Sequence, residues 1–196
     1  MWKIALGWGM ESKLFIISGP SGAGEDSIIS RLEEHLPIER VVTTTTRMPR
    51  AGESEGNPYY FVSEDAFETG IREQRFLEYT RQYNGHLYGV TFDEIERVRH
   101  SGKIGIWKIE WKGVLTAKKL FPDIVAILIT VPSLAVLEAR IRRRDPNVTD
   151  AYIVERMEYT REWLRHTDIY DYTVVNEEGR LDDAVRHTLD IIKKCA

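Results

Sequence analysis

The chain has 196 residues, of which 42% are hydrophobic and 30% are charged, a composition ordinary for one soluble globular domain. Its formal net charge of -4 gives no general attraction to nucleic acid or anionic membranes, and no apolar run approaches the ~20 residues needed to span a bilayer. The single cysteine, Cys195, cannot form an intramolecular disulfide, so we expect a cytoplasmic protein without nucleic-acid or membrane partners.

The N-terminal part of the chain predicts a loose tail, then a buried strand and a helix. Residues 1–13, "MWKIALGWGMESK", lack the pattern of a cleaved signal peptide. Leu14 to Gly19, "LFIISG", form a short apolar run that ends in glycine, which is typical of a buried parallel strand. The segment "EDSIISRLEEHL" has an apolar face and acidic residues in its first turn, which favours an amphipathic helix that Pro37 ends.

The middle of the chain predicts a second strand and a small antiparallel insert. "IERVVTTTT" is rich in β-branched residues and precedes the proline- and glycine-marked loop "RMPRAGESEGNP". From Tyr59 to Val90, strand-like runs surround one helical segment, and Asn84-Gly85 between two of these runs is a hairpin signal. We therefore expect an insert here rather than another strand–helix unit.

The rest of the chain alternates between strand and helix patterns. The strands "KIGIWKI", "IVAILITV" and "YTVVN" alternate with helices at "FDEIERVRHSG", "GVLTAKKLF" and "SLAVLEARIRRR", a long helix over about 149–166, and a final helix from Leu181. This alternation predicts an α/β fold, a doubly wound parallel sheet flanked by helices, with connections of one hand.

The stretch "GPSGAGEDS" lies between the first strand and the first helix, where backbone N–H groups and a helix N-terminus can bind a phosphate. The usual pattern, G-x-x-x-x-G-K-[ST], has lysine after its last glycine, but this chain has Glu25 there and Asp26 next. Glycines at this point can also simply form a tight turn. The candidate phosphate-binding residues are Gly19, Ser21, Gly22, Ala23, Gly24, Glu25, Asp26 and Ser27.

The segment "TTTTRMPR" combines four hydroxyl side chains with two arginines. Arg47 and Arg50 are three residues apart and can fork onto one phosphate group. An exposed, solvated strand end would give the same pattern. Together with "YYF", "FLEY" and "YG" downstream, the segment offers donors, acceptors and aromatic rings suited to a nucleotide.

These motifs and several others follow one another in a fixed order along the chain. They are "GPSGAG", "TTTTRMPRAGE", G-x-x-Y-x-F-V, "FLEY", "YG", "IWKIEWKG", "FPD", an arginine-rich stretch followed by "ERM", and "VVN". In this order, from Leu14 to the C-terminus, the chain resembles the guanylate kinases, which are nucleoside monophosphate kinases. The resemblance implies transfer of the γ-phosphoryl group of ATP to GMP, with Mg²⁺ accompanying ATP. It also implies three parts: a core of residues 14–46, 92–139 and 168–196, a mixed α/β GMP-binding insert of residues 47–91, and a helical lid of residues 140–167.

The resemblance further implies roles for residues on the GMP side. Arg47, Arg50 and Tyr59 would hold the GMP phosphate, with Tyr88 beside them. Glu78 would pair with N1 and the exocyclic amine of guanine, the alternative being a surface glutamate on a half-exposed strand. Thr43 matches a family residue near the base. Val90 stands where the family has a hydroxyl side chain, and Thr91 lies next to it. Glu110 stands where the family has an aspartate near the metal or the GMP ribose.

On the ATP side, the resemblance implies that the lid closes over the triphosphate. "ARIRRRDPNV" and "ERM" supply Arg140, Arg144 and Arg156 as the lid cations, and Asn176 matches a residue near the adenine. Such an arginine run is most often a solvated helix face. That remains the interpretation for the two arginines between Arg140 and Arg144.

Glu25 raises an electrostatic problem for ATP binding. Exchanging a cation for an anion about 4 Å from a phosphate charge changes the interaction by ~8 kcal/mol at an effective dielectric constant of about 20. Alternation along "KIGIWKIEWKG" places Lys108 and Glu110 on one face, toward the sheet edge where such folds bind ligands. Many bacterial guanylate kinases that resemble this chain carry an acid at the position of Lys108 and lysine at that of Glu25.

We therefore predict that the chain has exchanged two charges. Glu25 and Lys108 would form an ion pair, and the Lys108 ammonium would reach the phosphates as a catalytic group. The alternative is an exposed strand lysine that extends into water. Asp26 stands where the family has a hydroxyl for Mg²⁺, and its carboxylate would hold that ion directly or through water, or serve only the helix dipole.

Two other functions stay open at this point. A catalytically silent guanylate-kinase-like module that binds protein partners would explain the lost lysine, but not the retained arginines and Glu78. A sugar-phosphate kinase similar to the ribose bisphosphate phosphokinases would explain the aspartate after the loop, but not the glutamate of "FLEY". We expect ATP and GMP as small-molecule partners, and the sequence does not fix the oligomeric state.

Overall fold

The computed structural model describes residues 13–50, 52–82 and 85–196, which form a parallel core sheet, a second sheet and the helices around them. The strands are β1 (Leu14–Ser18), β2 (Ile38–Arg40), β3 (Thr43–Thr45), β4 (Ser54–Glu55), β5 (Pro58–Phe61), β6 (Phe76–Arg81), β7 (Leu87–Thr91), β8 (Ile104–Trp107), β9 (Val125–Thr130) and β10 (Tyr172–Val175). The helices are α1 (Glu25–Leu32), α2 (Glu64–Arg72), α3 (Phe92–Arg99), α4 (Trp111–Leu120), α5 (Leu134–Arg144), α6 (Asp150–Leu164) and α7 (Leu181–Cys195), with a 3₁₀ turn at Thr167–Ile169.

The core sheet has the strand order β10-β9-β1-β8-β2, and each neighbouring pair is parallel. Its central strand, β1, is apolar on both faces, because Phe15, Ile16 and Ile17 are all 0% exposed. A strand covered by helices on both sides has no solvated face, which explains this continuous apolar run. The predicted parallel α/β fold is confirmed.

Alternate residues of β1 face two different hydrophobic clusters, one on each side of the core sheet. Phe15 and Ile17 belong to the cluster formed with α1, α5, α6 and α7. Ile16 belongs to the cluster formed with α3 and α4. Because β1 and β8 are parallel neighbours, the loop after β1 and residues 108–110 after β8 emerge at the same edge of the sheet.

The second sheet is mixed and has the order β4-β5-β3-β7-β6. β3 pairs in parallel with β5 and antiparallel with β7, and β6 pairs antiparallel with β7. Helix α2 precedes β6, so this region has the expected mixture of helix and strand. The expectation of an antiparallel insert is wrong in part, because β5 pairs in parallel with both β3 and β4. Asn84 of the predicted hairpin turn lies outside the described residues.

The prediction of one strand over "IERVVTTTT" is wrong, since its residues form β2 in the core sheet and β3 in the second sheet. The Val41 amide still donates to the Ile106 carbonyl at 2.9 Å. The Val42 amide instead donates to Glu94 Oε1 at 2.7 Å, and Glu94 is 5% exposed. A buried carboxylate thus holds the backbone at Val42, between the two strands, and the second sheet begins at Thr43 rather than at residue 47.

One helix is shorter than expected, and another crosses an expected boundary. α1 ends at Leu32, four residues short of Leu36, where the sequence pattern ended. α5 matches the helix expected over "SLAVLEARIRRR" and continues past position 140, the expected start of the lid, because Leu137 and Ile141 pack into a core cluster. Residues 1–12 of the expected tail lie outside the described part. Within the described part, no helix is both long enough and apolar enough to cross a membrane.

Candidate active site

The P-loop, residues 19–24, connects β1 to α1 and turns so tightly that it requires glycine. Gly24 has a φ of 100°, which other residues rarely adopt, and a Cβ there would lie 2.4 Å from Asn176 Nδ2. A Cβ on Gly19 would lie 2.4 Å from the carbonyl oxygen of Ile129. Larger residues at these two points would displace the loop, and α1 begins directly after it.

The side chain of Glu25 folds back into the P-loop. Its Oε2 accepts a hydrogen bond of 3.0 Å from the Gly24 N–H. Its carboxyl carbon lies 3.3 Å from the point that a Cβ on Gly19 would occupy. Burial raises the pKa of Glu25 to about 7, against the opposing effects of its own N–H, of Lys108 and of the Gly24 N–H. The loop thus places a carboxyl group at an N–H that a phosphate would use.

Lys108 follows the last residue of β8 and reaches the first turn of α1. Its Nζ donates a hydrogen bond of 2.7 Å to Asp26 Oδ1. The predicted ion pair is therefore wrong in its partner. Among the described residues, Asp26 makes the direct contact, and Glu25 acts on Lys108 only through charge at longer range.

Groups on two sides influence the charge of Lys108. Burial lowers its pKa, but Tyr59, Asp26 and Glu25 together outweigh burial and bring the pKa above its ordinary value. Asp26 and Glu25 belong to α1, whereas Tyr59 belongs to β5 of the second sheet. The ammonium therefore lies beside the first turn of α1, and Tyr59 of the second sheet is near enough to influence its pKa.

A buried chain of hydrogen bonds fixes the backbone at Ile109. Trp163 Nε1 donates to Tyr170 Oη at 2.9 Å, and the hydroxyl groups of Tyr170 and Ser18 lie 2.9 Å apart. Ser18 Oγ in turn donates to the Ile109 carbonyl at 2.6 Å. Because Ser18 is the last residue of β1, this series of hydrogen bonds connects residues 108–110 to the start of the P-loop.

Arg47 and Glu53 form a mostly buried ion pair on the side of the second sheet. Arg47 is 7% exposed, and its two terminal nitrogens each donate to one oxygen of Glu53 at 2.9 Å. Glu53 Oε2 also accepts from the backbone N–H of Arg50 at 2.8 Å. Glu53 was not predicted, and its signal in the sequence was an acid three residues after Arg50.

Aromatic rings surround the Arg47 guanidinium. Its central carbon lies 5.2 Å from the centroid of the Tyr59 ring, and Tyr88 packs edge-on against Tyr59 with centroids 5.9 Å apart. The hydrogen bonds to Glu53, and then Tyr88, raise the pKa of Arg47 above its ordinary value against the effect of burial. The structure thus brings together Arg47, Tyr59 and Tyr88, while Arg50 is exposed at the rim of the loop.

Glu78 and Glu110 form a pair of carboxyl groups near α4. Glu78 Oε2 lies 3.4 Å from the point that a Cβ on Gly113 would occupy. Burial, and then the charge of Glu110, raise the pKa of Glu78 to about 8, although the Val90 N–H lowers it. Glu110 accepts a hydrogen bond from the Tyr159 hydroxyl across 49 positions of the chain, so no local pattern could have indicated Tyr159.

The two threonines predicted for the GMP site have different surroundings. Thr43 begins β3 and lies opposite Tyr59 of β5. Thr91 is the N-cap of α3, and its hydroxyl accepts a hydrogen bond of 3.2 Å from the Glu94 N–H, which leaves its own hydrogen for another acceptor. Val90 beside it is 0% exposed and packs in a core cluster.

The three arginines predicted for the lid occupy three different environments. Arg140 donates to carbonyl oxygens on the outer side of the P-loop, as does Asn176. Arg144 Nη2 donates to Ser21 Oγ at 3.3 Å. Arg156 lines a cavity of about 290 Å³ together with aromatic and acidic residues of α6. The placement of Arg140 differs from the expected contact with the triphosphate.

Comparison with known proteins matches nearly the whole chain. A protein-family model described as guanylate kinase covers residues 11–195. This chain belongs to the guanylate kinase family. The guanylate kinase of Pasteurella multocida is 38% identical over 170 residues, which cover 85% of this chain and 81% of that protein. A guanylate kinase of Thermus thermophilus is 36% identical over 184 residues, which cover 94% of this chain and 81% of that protein.

The fold agrees with that of a solved guanylate kinase. The crystal structure of guanylate kinase from Anaplasma phagocytophilum matches with a TM-score of 0.75 and 25% sequence identity. The match covers 94% of this chain and 86% of that one. The second sheet and the helices after β9 therefore belong to a known guanylate kinase architecture.

Two side chains in the first turn of α1 are candidates for holding a metal ion. Asp26 and Ser27 are exposed in the first turn of α1. In residues 13–50, 52–82 and 85–196, no group of three or more His, Cys, Asp or Glu is arranged around a metal position. Mg²⁺ that arrives with a nucleotide needs only one or two protein oxygens, because phosphates and water supply the rest. Asp26 with Ser27 fits such an ion.

Proposed function

We propose that this chain transfers the γ-phosphoryl group of ATP to GMP, giving ADP and GDP, and that Lys108 supplies the positive charge missing from its P-loop. Membership of the guanylate kinase family supports the reaction. One observation carries the role of Lys108: its ammonium donates to Asp26 at 2.7 Å, beside the first turn after the P-loop. A cation there faces the phosphates of bound ATP.

The donor phosphates would bind the backbone N–H groups of the P-loop and the N-terminus of α1. The Glu25 carboxyl group accepts the Gly24 N–H, so ATP displaces it from the loop. Lys108, whose pKa lies above its ordinary value, stays charged at neutral pH and offsets repulsion by Glu25 and Asp26. Mg²⁺, held by Asp26 directly or through water, would neutralise further charge on the phosphates.

The GMP phosphate would bind at the arginine loop. Arg47, oriented by two hydrogen bonds to Glu53, presents its guanidinium between aromatic rings. Tyr59 and Tyr88, whose rings are in contact, would supply hydroxyl groups, and Arg50 would add a second cation from the rim of the loop. Charge-assisted hydrogen bonds to phosphate are about twice as strong as neutral ones, which suits arginine and tyrosine donors converging on one dianion.

Recognition of guanine would rest on Glu78. An ionised carboxylate accepts two parallel hydrogen bonds, from N1–H and the exocyclic amine of guanine, and adenine lacks both donors at these positions. Thr43 and Thr91 would contact the edge of the base. Glu110, which Tyr159 holds by a hydrogen bond, would contact the ribose.

In the reaction, an oxygen of the GMP phosphate attacks the γ-phosphorus, the bond to the bridging oxygen breaks, and ADP leaves with that electron pair. Charge spreads over the transferred group, so catalysis consists mainly of positioning and of cations. Lys108, which contacts the first turn of α1, would act where the transferred group passes from donor to acceptor. Arg144 and Arg156 are the further cations proposed for the lid.

Steady-state phosphorylation of GMP by ATP tests this proposal. Lys108→Ala should lower kcat at least about a hundredfold and leave GMP binding intact, because a unit charge 4 Å from a phosphate contributes up to ~4 kcal/mol. Lys103→Ala is the matched control, since Lys103 begins the same segment but pairs with Glu39 at 2.9 Å on the surface. Full activity of Lys108→Ala would overturn the role of Lys108. Inactivity of the unaltered chain at millimolar ATP and GMP would overturn the reaction.

Neither alternative function gains support from these observations. The relatives described above are guanylate kinases, which does not favour a sugar-phosphate kinase. A silent binding module would need neither an ordered Arg47 nor an ammonium beside the P-loop. Both substrates are nucleotides of the cytoplasm, where we propose that the protein acts.

A further inference from the structure

Arg140 is held by several acceptors on the outer side of the P-loop, which is the side to which the Gly22 and Ala23 carbonyls point. Its Nη1 donates to the carbonyl oxygens of Gly22 and Ala23 at 3.2 and 3.4 Å. Its Nη2 donates to the Asn176 carbonyl at 3.0 Å, and its Nε donates to Glu178 Oε2 at 3.1 Å. The side chain is only 13% exposed. All three nitrogens of the guanidinium are thus engaged behind the loop rather than inside it.

Asn176 holds the same part of the loop from a second direction. Its Nδ2 donates to the Ala23 carbonyl at 2.8 Å, and the residue is 5% exposed. A Cβ on Gly24 would lie 2.4 Å from Asn176 Nδ2 and 3.9 Å from Arg140 Nη1. Both side chains therefore pack directly on the peptide between Ala23 and Gly24.

This clamp determines which way one amide points. In a planar trans peptide the C=O and the N–H point in opposite directions. With the Ala23 carbonyl held on the outer side, the Gly24 N–H points into the loop, where Glu25 Oε2 accepts it at 3.0 Å. An inward N–H at a helix N-terminus is the group that binds a phosphate oxygen.

We propose that Arg140 is a positioning residue of the ATP site, which acts with Asn176 to turn the Gly24 N–H toward the nucleotide phosphates. It does not contact the transferred phosphoryl group. A planar guanidinium presents its donors in a fixed fork, here with Nη1 on the Gly22 and Ala23 carbonyls and Nη2 on the Asn176 carbonyl, and a lysine ammonium on a flexible stem has no such fork. The inference rests on ATP as the donor in the proposed function, but its test requires no turnover of GMP.

Binding of ATP and of ADP to Arg140→Lys, measured without GMP, distinguishes the two roles of Arg140. A displaced Gly24 amide weakens any phosphate chain in the loop, so both Kd values should rise by a similar factor, about tenfold, or ~1.4 kcal/mol. In turnover, KM for ATP should rise while kcat at saturating ATP and KM for GMP stay within about threefold. A contact with the γ-phosphate would instead weaken ATP alone and lower kcat. That result, or two unchanged Kd values, overturns the proposal.

Arg143→Lys is the matched control for this experiment. Arg143 also pairs with Glu178, at 2.9 Å, but its side chain is 69% exposed and has no contact with the loop in the described structure. This variant should bind both nucleotides as the unaltered chain does. Glu178→Gln weakens the support of Arg140 without touching the loop, and should raise both Kd values by a smaller factor.

Hydrogen exchange of peptides covering residues 19–28 gives a readout that needs no nucleotide. Amides of the P-loop should exchange faster in Arg140→Lys than in the unaltered chain, and should be unchanged in Arg143→Lys. Unchanged exchange in Arg140→Lys would overturn the positioning role. Faster exchange spread over β1 and β9 as well would mean general destabilisation, and would overturn it too.

Discussion

The Lys108 ammonium lies 2.7 Å from Asp26 Oδ1, across the gap between the end of β8 and the first turn of α1. The two residues are 82 positions apart in the chain. Their contact places a cation that follows a neighbouring strand beside a P-loop that carries Glu25 where the usual P-loop pattern has lysine. The proposed reaction depends on this relocation of charge.

Glu25→Lys should lower kcat/KM for ATP, although it restores the common P-loop pattern. Two ammonium groups would then share the space beside Asp26, and each would raise the cost of charging the other. Combining it with Lys108→Glu should recover activity relative to Lys108→Glu alone, because the charges are then exchanged rather than unbalanced. A double-mutant cycle on kcat/KM measures this coupling, and additive effects would contradict it.

Binding of GMP near pH 7 should release protons. Burial and Glu110 raise the pKa of Glu78 to about 8, so the free protein holds a proton there at neutral pH. The N–H groups of guanine favour the ionised carboxylate and lower this pKa, so binding expels the proton. Affinity for GMP should therefore rise as pH increases from about 6 to about 8. Calorimetric titration in buffers of different ionisation enthalpy measures the release.

Glu78→Gln is the control for this proton release, because an amide does not titrate. Any release that remains in this variant belongs to the phosphate of GMP or to other groups. The variant should release fewer protons than the unaltered chain and should lose preference for GMP over AMP. Equal release by both proteins would show that Glu78 is already ionised before GMP binds.

Glu53→Ala should destabilise the protein and weaken GMP binding. The side chains of Arg47 and Glu53 are 8% and 17% exposed, so the change leaves a mostly buried guanidinium without its ion-pair partner. Such a loss costs ~3 kcal/mol in the free energy of unfolding. KM for GMP should rise as well, because Arg47 and Arg50 lose their common acceptor. Urea denaturation and steady-state kinetics measure the two effects.

Glu73→Ala is the matched control for the loss of a glutamate. Glu73 pairs with Arg75 at 2.9 Å, and both side chains are more than half exposed. Surface ion pairs of this kind contribute little, so its free energy of unfolding should change by less than about 0.5 kcal/mol. A Glu53→Ala variant as stable as Glu73→Ala would contradict the structural importance of the Arg47–Glu53 pair.

Ser18→Ala should lower both stability and kcat. Ser18 is 0% exposed and connects the Tyr170 hydroxyl to the Ile109 carbonyl. Removal of this link leaves buried polar groups without a partner, which costs ~1–3 kcal/mol. Residues 108–110 would be held less firmly, so kcat should fall. The control is Ser30→Ala, a change of an exposed serine in α1, which should leave kcat unchanged. Loss of stability with full kcat would limit the network to a structural role.

The regular elements could be predicted because each depends on a local pattern. The apolar run of β1, the glycines after it and the helical period of α1 together indicated a P-loop at the correct place. The break between β2 and β3 could not be predicted in this way. At this point the chain contacts Glu94, 52 positions further along, whose carboxylate accepts the Val42 N–H, and a contact over that distance is not visible in a local pattern.

The partner of Lys108 could not be predicted for a related reason. Alternation along the strand gave the direction of the Lys108 side chain, but Glu25 and Asp26 are adjacent in a helix and point about 100° apart. The choice between them depends on the hydrogen bond from the Gly24 N–H, which draws Glu25 back into the loop. A loop–side-chain contact of this kind leaves no periodic trace in the sequence.

The role proposed for Lys108 bears on how nucleotide kinases are sorted into active and inactive forms. A text search that demands lysine after the final P-loop glycine would class this protein as a pseudoenzyme. A phosphate group responds to the position of a positive charge in space, whichever segment of the chain contributes the ammonium. Before a homologue with a degenerate P-loop is dismissed, the strand beside that loop should be inspected for a basic residue at its carboxyl end.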